Sequence, residues 1–195
     1  MGIASNGDIF PRFFGNHFYL NRLKEIVKSL KTSSFVRMQT NWYSMAMPNL
    51  FAPSEYMRLE LKSMFAMLQT SRVVGVCFEL ETLRKQMTEE EAMKRLEGRF
   101  EVIRELSNRE KSKIFVVTDS EEAEKAIEKE FGEKVVKIQG EKWKKGQAVS
   151  EQRLKTFFKE VMVLGKIVRL VLTRNGEVGT VAMHLHTISP RIYYF

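Results

Sequence analysis

The chain has 195 residues, with 32 Lys and Arg against 24 Asp and Glu, a net charge of +8 with the three His neutral. An apolar share of 44%, including 14 Phe and 11 Met, supplies a sizeable core and excludes a wholly disordered chain. No apolar run reaches the roughly 18–20 residues of a membrane span, and the one cysteine, Cys77, excludes an internal disulfide and a cysteine-built zinc cage.

Residues 1–70 read as an aromatic-rich N-terminal segment with helices. Phe10, Phe13, Phe14, Phe18, Tyr19, Phe35, Trp42, Tyr43 and Phe51 crowd its first part. No signal-peptide pattern stands at Met1. Leu23, Ile26, Val27 and Leu30 share one face of a short helix over 21–30. Pro48 and Pro53 mark a loop over 40–53. A helix then runs from about Ser54 to Gln69, with Met57, Leu61, Met64, Phe65 and Leu68 at a 3.6-residue period.

Residues 71–195 read as a second unit. Val73 to Phe78 is a short apolar, β-branched run of the kind a buried strand requires. Thr88 and Glu91 form a capping box that opens a helix to about Leu106. Ile114 to Val117 is a second buried strand. Ser120 caps a helix that ends at Gly132, and Val135 to Ile138 is a third strand. A basic loop over 139–149 leads to a helix from Ser150 to Gly165. Val168 to Leu172 is the fourth strand, a helix spans about 177–186, and Ile192 to Phe195 completes a fifth strand. Short apolar strands alternating with amphipathic helices predict an α/β fold, a Rossmann-like parallel sheet of about five strands covered on both faces.

Ligands in such sheets sit outside the carboxyl ends of the strands. The loops there are 79–87, Thr118-Asp119-Ser120, 139–149 and 173–177. Residues 139–174 carry nine basic and three acidic residues, a local +6: Lys142, Lys144, Lys145, Arg153, Lys155, Lys159, Lys166, Arg169 and Arg174 outweigh the acids. Such a stretch either attracts phosphate or forms a solvated basic face. Its position at the loops favours a phosphate-bearing ligand over nucleic acid.

Asp119 can accept from a nucleobase or ribose and Ser120 can donate to phosphate, yet Asp and Ser are also preferred helix caps. Trp143, among lysines, either stacks on a base or pins a loop. Thr173-Arg174-Asn175-Gly176 can hold a diphosphate at a helix amino end or can simply make a tight turn, and Glu177 opposes an anion there. Neither GxGxxG nor GxxxxGK[ST] occurs, which argues against a standard NAD site and a P-loop. Cys77 lies in an apolar strand and reads as a small core residue. His17, His184 and His186 lack a metal-ligand spacing, so no metal is expected.

Three segments, taken in order, resemble the nucleotide-sugar half of GT-B fucosyltransferases. LFAPSEYMRLELKSMFAML followed by VVGVCFELET resembles the family's helix and the strand bearing its Gly-Val-His-x-Arg motif. KIFVVTDSEEAEKAIEKEFGEKVVKI resembles the next strand, Thr-Asp turn, helix and strand. LKTFFKEVMVLGKIVRLVLTRNGEVGTVA resembles the late helix, strand and Thr-x-x-Ser-x-x-Gly turn. The resemblance covers roughly residues 50–195. It implies GDP-fucose as donor substrate and no cofactor. It also implies a glycan or protein hydroxyl as acceptor, inverting displacement without a metal, and residence in the Golgi or endoplasmic reticulum lumen as part of a longer protein. Thr118 and Asp119 match the turn that approaches guanosine, and Thr173 and Gly179 match parts of the turn that approaches the diphosphate. Thr118, Asp119, Ser120, Thr173, Arg174 and Asn175 form the expected nucleotide-sugar site. The family's His falls at Cys77, its phosphate-clamping Arg at Glu79, and its late Ser at Gly176. Arg174 is the candidate substitute for the Arg, and the catalytic residues are otherwise unassigned. These departures leave three expectations: a fucosyltransferase-like glycosyltransferase, a non-catalytic relative acting as a nucleotide-binding or interaction module, and a binder of nucleic acid or another anionic partner through the +6 stretch.

Overall fold

The computed structural model describes residues 55–108, 112–141, 150–186 and 190–195. All of them belong to a compact unit, Ser44–Phe195. The expected helix over 21–30, the loop over 40–53 and the residues Trp143, Lys142, Lys144, Lys145 and His17 lie outside the described residues.

Helices α1 (Glu55–Glu60) and α2 (Lys62–Thr70) precede strand β1 (Val73–Phe78). Next come α3 (Leu80–Leu83), α4 (Glu89–Glu97), α5 (Phe100–Leu106) and β2 (Lys113–Thr118). Helix α6 (Glu121–Phe131), a 3-10 turn (Gly132–Lys134) and β3 (Val135–Val136) follow. The chain continues through α7 (Glu151–Leu164), β4 (Arg169–Leu172), α8 (Glu177–Leu185) and β5 (Arg191–Tyr194).

The five strands form one parallel sheet in the order β3-β2-β1-β4-β5. The register puts Val74 beside Ile114 and Val76 beside Val116, while Gly75 pairs with Leu170 and Cys77 with Leu172. Because side chains alternate along a strand, this register sorts the core into two layers. Val74, Val76, Phe78, Ile114, Val116 and Val171 pack with Leu80, Leu83, Ala92, Leu96, Ile103, Ala123 and Ile127, so α3 to α6 cover one face. On the other face a Cβ on Gly75 would lie 2.7 Å from Leu170 and 2.9 Å from Leu164, and one on Gly179 would lie 3.4 Å from Leu172. Helices α7 and α8 therefore cover that side. Right-handed crossovers account for this division: the connections from β1 to β3 run one way along the sheet, and those to β4 and β5 run the other way. The reversal falls between β1 and β4.

Four local departures from the sequence reading stand out. The single helix expected over 54–69 is divided at the buried Leu61, whose φ of −90° and ψ of 1° leave the helical range while its N–H still bonds Met57 O at 3.0 Å. The helix expected from Thr88 to Leu106 is broken at Gly98, a weak helix former, where Arg99 N–H bonds Leu96 O at 3.0 Å in a tightened turn. The third strand is two residues long because only Ile114 and Phe115 pair with it. The expected loop 79–87 contains the short helix α3. The expected caps are present. Thr88 and Glu91 form the reciprocal box, Ser120 Oγ accepts from Ala123 N–H at 3.2 Å, and Ser150 Oγ accepts from Arg153 N–H at 3.0 Å.

Candidate functional site

The reversal between β1 and β4 places two polar turns at the carboxyl edge of the sheet. One is Thr118-Asp119-Ser120 after β2, and the other is Thr173-Arg174-Asn175-Gly176 after β4. Glu79, the residue after β1, lies between them in the strand order. The sheet thus gathers every residue of the expected nucleotide-sugar site along one edge.

Glu79 is 7% exposed. Its Oε2 accepts from Glu177 N–H at 2.7 Å and its Oε1 from Gly179 N–H at 3.1 Å, with the Val178 amide also bonded to the carboxylate. These are the first amides of α8, which the helix leaves without internal partners and which carry the positive end of its dipole. The side chain just after β1 therefore caps a helix that begins almost a hundred residues later. Its own N–H donates to Thr173 Oγ1 at 2.9 Å. Burial pushes the Glu79 carboxyl above its ordinary value, and the three amides and the Cys77 thiol work against that rise.

Gly176 completes this arrangement. Its φ of −66° and ψ of 141° are open to any residue, so backbone strain does not require glycine here. A Cβ, however, would stand 2.2 Å from Glu79 Oε1 and 2.8 Å from its Cδ. Glu79 and Gly176, two of the three departures from the family pattern, thus stand against each other.

Asp119 performs the same service one strand away. Its Oδ1 accepts from Leu80 N–H at 2.7 Å and its Oδ2 from Glu81 N–H at 3.1 Å, so it caps α3 across 39 and 38 positions. Burial raises its carboxyl above the ordinary value, and these amides oppose the rise. Thr118 Oγ1 accepts from Ser120 N–H at 3.2 Å. Thr118, Ser120 and Thr173 are buried and use their hydroxyl groups inside the fold.

Asn175 is exposed and adopts a φ of 61°, with Gly176 N–H bonded to Thr173 O at 3.1 Å. Arg174 is exposed, and its guanidinium carbon lies 5.4 Å from the Tyr194 ring centroid. Cys77 is fully buried, and its thiol donates to Glu79 Oε1 at 3.5 Å. Burial first, and the Glu79 charge second, hold that thiol well above its ordinary value, which makes it unreactive.

Three of the six described basic residues of the stretch are in ion pairs. Lys159 bonds Glu60 at 2.9 Å, Lys155 bonds Glu151 at 2.7 Å, and Arg153 bonds Glu141 at 3.2 Å. Among the described residues no group of His, Cys, Asp and Glu is arranged to hold a metal, and no helix is long and apolar enough to cross a membrane.

The cross-strand roles of Glu79 and Asp119 are absent from the sequence reading. One signal was available: a glutamate closing the apolar run VVGVCF is a costly choice unless donors wait for it. Together the fold and this edge define a Rossmann-like α/β domain whose carboxylates occupy its own helix amino ends. No protein-family model matches the chain, and no curated protein matches it.

Proposed function

We propose that this chain is a fucosyltransferase-like domain that works as a non-catalytic binding or interaction module. The observation that supports this reading is the Glu79 carboxylate bonded to the first amides of α8. In the family that the sequence resembles, an arginine at this position clamps the donor diphosphate. Here a buried carboxylate takes up the donors that would meet phosphate oxygens and adds a like charge beside them. Removing one such donor from a transition state costs about 10²–10³ in rate. Replacing the clamp by an anion costs more.

One observation favours a second reading, a working transferase that takes GDP-fucose and passes fucose to a glycan or protein hydroxyl. Arg174 is exposed at the same edge, one residue after Thr173, and carries the positive charge that the Glu79 position lacks.

Calorimetric titration of the full chain with GDP, with ADP and UDP as controls, tests whether the phosphate site is closed. The non-catalytic reading with a closed phosphate site expects no saturable heat from any of the three. Saturable, GDP-selective binding, weakened by Arg174→Ala, would overturn the closed phosphate site, and turnover in a fucose-transfer assay from GDP-fucose would then decide for the transferase over a nucleotide-binding module.

A further inference from the structure

Strand β5 stands at one end of the sheet, and no described segment pairs with its outer edge. Its inner edge is fixed: Arg191 N–H donates to Val168 O at 2.7 Å, and Phe195 N–H to Leu172 O at 3.0 Å. In a parallel ladder alternate residues turn both backbone groups to the same side. Arg191 and Tyr193 therefore face β4, and the N–H and C=O groups of Ile192 and Tyr194 point outward. Such a row of groups is a template for one more strand.

The side chains along this edge are sorted by face. Arg191 lies beside Arg169, and Tyr193 beside Val171, which belongs to the layer under α3 to α6. Ile192 and Tyr194 lie beside Leu170 and Leu172 on the opposite face. One face of the edge thus offers two arginines in register, and the other is apolar. Like charges side by side in a sheet are unfavourable, and no acid relieves these two, because neither Arg169 nor Arg191 is in an ion pair. Lys166 and Arg174, which flank β4, are in no ion pair either. Residues 161–195 hold four basic side chains and one acid, Glu177. At the other end of the sheet the cations are satisfied. Lys137, just after β3, pairs with Glu124 and Glu128, while Lys113 and Lys134 donate to the carbonyls of Glu133 and Ser107.

We propose that the outer edge of β5 binds an extended acidic segment of a partner protein. The segment joins the sheet as a further strand, with carboxylates on Arg169 and Arg191 and apolar side chains beside Ile192 and Tyr194. This inference rests on the interaction-module reading and names its class of partner. A second copy of this chain is a poor occupant, because it brings the same arginines and a net charge of +8. A nucleic-acid backbone brings phosphate acceptors for the two N–H groups but no donors for the two carbonyls.

NMR titration of the isotope-labelled full chain with the capped peptide Glu-Val-Glu-Val-Glu-Val tests the proposal. The alternation sets carboxylates on one face and valines on the other. Saturable shifts should centre on the Ile192 and Tyr194 amides, which should also gain protection from hydrogen exchange, while the β2 and β3 amides stay unchanged. The peptide Lys-Val-Lys-Val-Lys-Val should not bind. Arg191 is exposed, so Arg191→Glu should keep the fold, weaken the acidic peptide about tenfold or more, and admit the lysine peptide. Only alternate amides of the added strand face β5. Of two acidic peptides, one N-methylated at its valines and one at its glutamates, one should therefore bind and the other should not. The absence of a saturable shift, shifts that bypass Ile192 and Tyr194, equal binding of both N-methylated peptides, or unchanged binding by Arg191→Glu would each overturn the proposal. Tighter binding of a single-stranded oligonucleotide at these two amides would overturn it in favour of nucleic acid, and peptide-free shifts there that grow with protein concentration would do so in favour of a second copy. The GDP titration reads the carboxyl edge and this one reads the outer strand, so failure of either is recognised separately.

Discussion

Gly176→Ser restores the residue type that the resembled family has at this turn, and its effect is set by one distance. The serine Cβ would stand 2.2 Å from Glu79 Oε1, well inside van der Waals contact. The φ of −66° and ψ of 141° suit serine, and the Cβ would also crowd Thr173 O at 3.1 Å. The carboxylate must therefore move, and it gives up the Glu177 and Gly179 amides at 2.7 and 3.1 Å. Losing a helix cap costs about 1 kcal/mol, and a buried polar group left unpaired costs about 1–3 kcal/mol. The expected loss is about 2–4 kcal/mol of unfolding free energy.

Urea denaturation followed by far-ultraviolet circular dichroism reads this loss as a lower midpoint at unchanged slope. The decisive measurement is the double-mutant cycle with Glu79→Ala. With the carboxylate gone, the collision disappears and the serine hydroxyl can itself cap α8, so Gly176→Ser should cost nearly nothing or stabilise. The coupling energy should therefore exceed about 1 kcal/mol, as expected for groups in direct contact. A Gly176→Ser loss below about 0.5 kcal/mol, or equal losses in both backgrounds, would show that the two positions are independent and would refute the closed-edge argument.

Asp119→Ala should destabilise the fold by about 1–2 kcal/mol, because two amides of α3 lose their acceptor. A thermal or urea melt measures this, and an unchanged melt would mean that the aspartate is free for a ligand. Glu79 titrates above its ordinary value of 4.5, so the native state holds its proton more tightly than the unfolded chain does. Its contribution is then fully present below 4.5 and is lost as pH rises through the higher folded value. Relative to Glu79→Gln, wild type should lose stability on raising the pH from 4.5, and a difference that grows in wild type's favour would contradict the sign.

Much of the fold is legible in the sequence because the signals are local. VVGVCF and KIFVVT are apolar and β-branched enough to be buried on both faces, and both strands are nearly fully buried. Thr88, Ser120 and Ser150 cap helices that start at the next residue, so each cap and its helix are read in one glance along the chain. The site is legible only as a location. The turns at Thr118 and Thr173 stand at the carboxyl edge because strand and helix alternate, and that alternation is written in hydrophobic period.

What their side chains do was decided by tertiary structure. Asp119 reads as the cap of the helix beside it, yet its carboxylate spans 39 positions to Leu80, while Ser120 alone caps α6. Glu79 reads as a misplaced charge, and only the neighbouring position of β4 brings the α8 amides, 98 and 100 positions away, to its carboxylate. The choice of β4 rather than β3 as the second neighbour of β1 depends on which faces pack together, a sum over many weak contacts between distant segments. The sequence by itself determined the elements and the edge where they present polar groups. The tertiary structure decided that these groups meet one another there, because hydrogen bonds between strand ends exist only once the order of the strands is set.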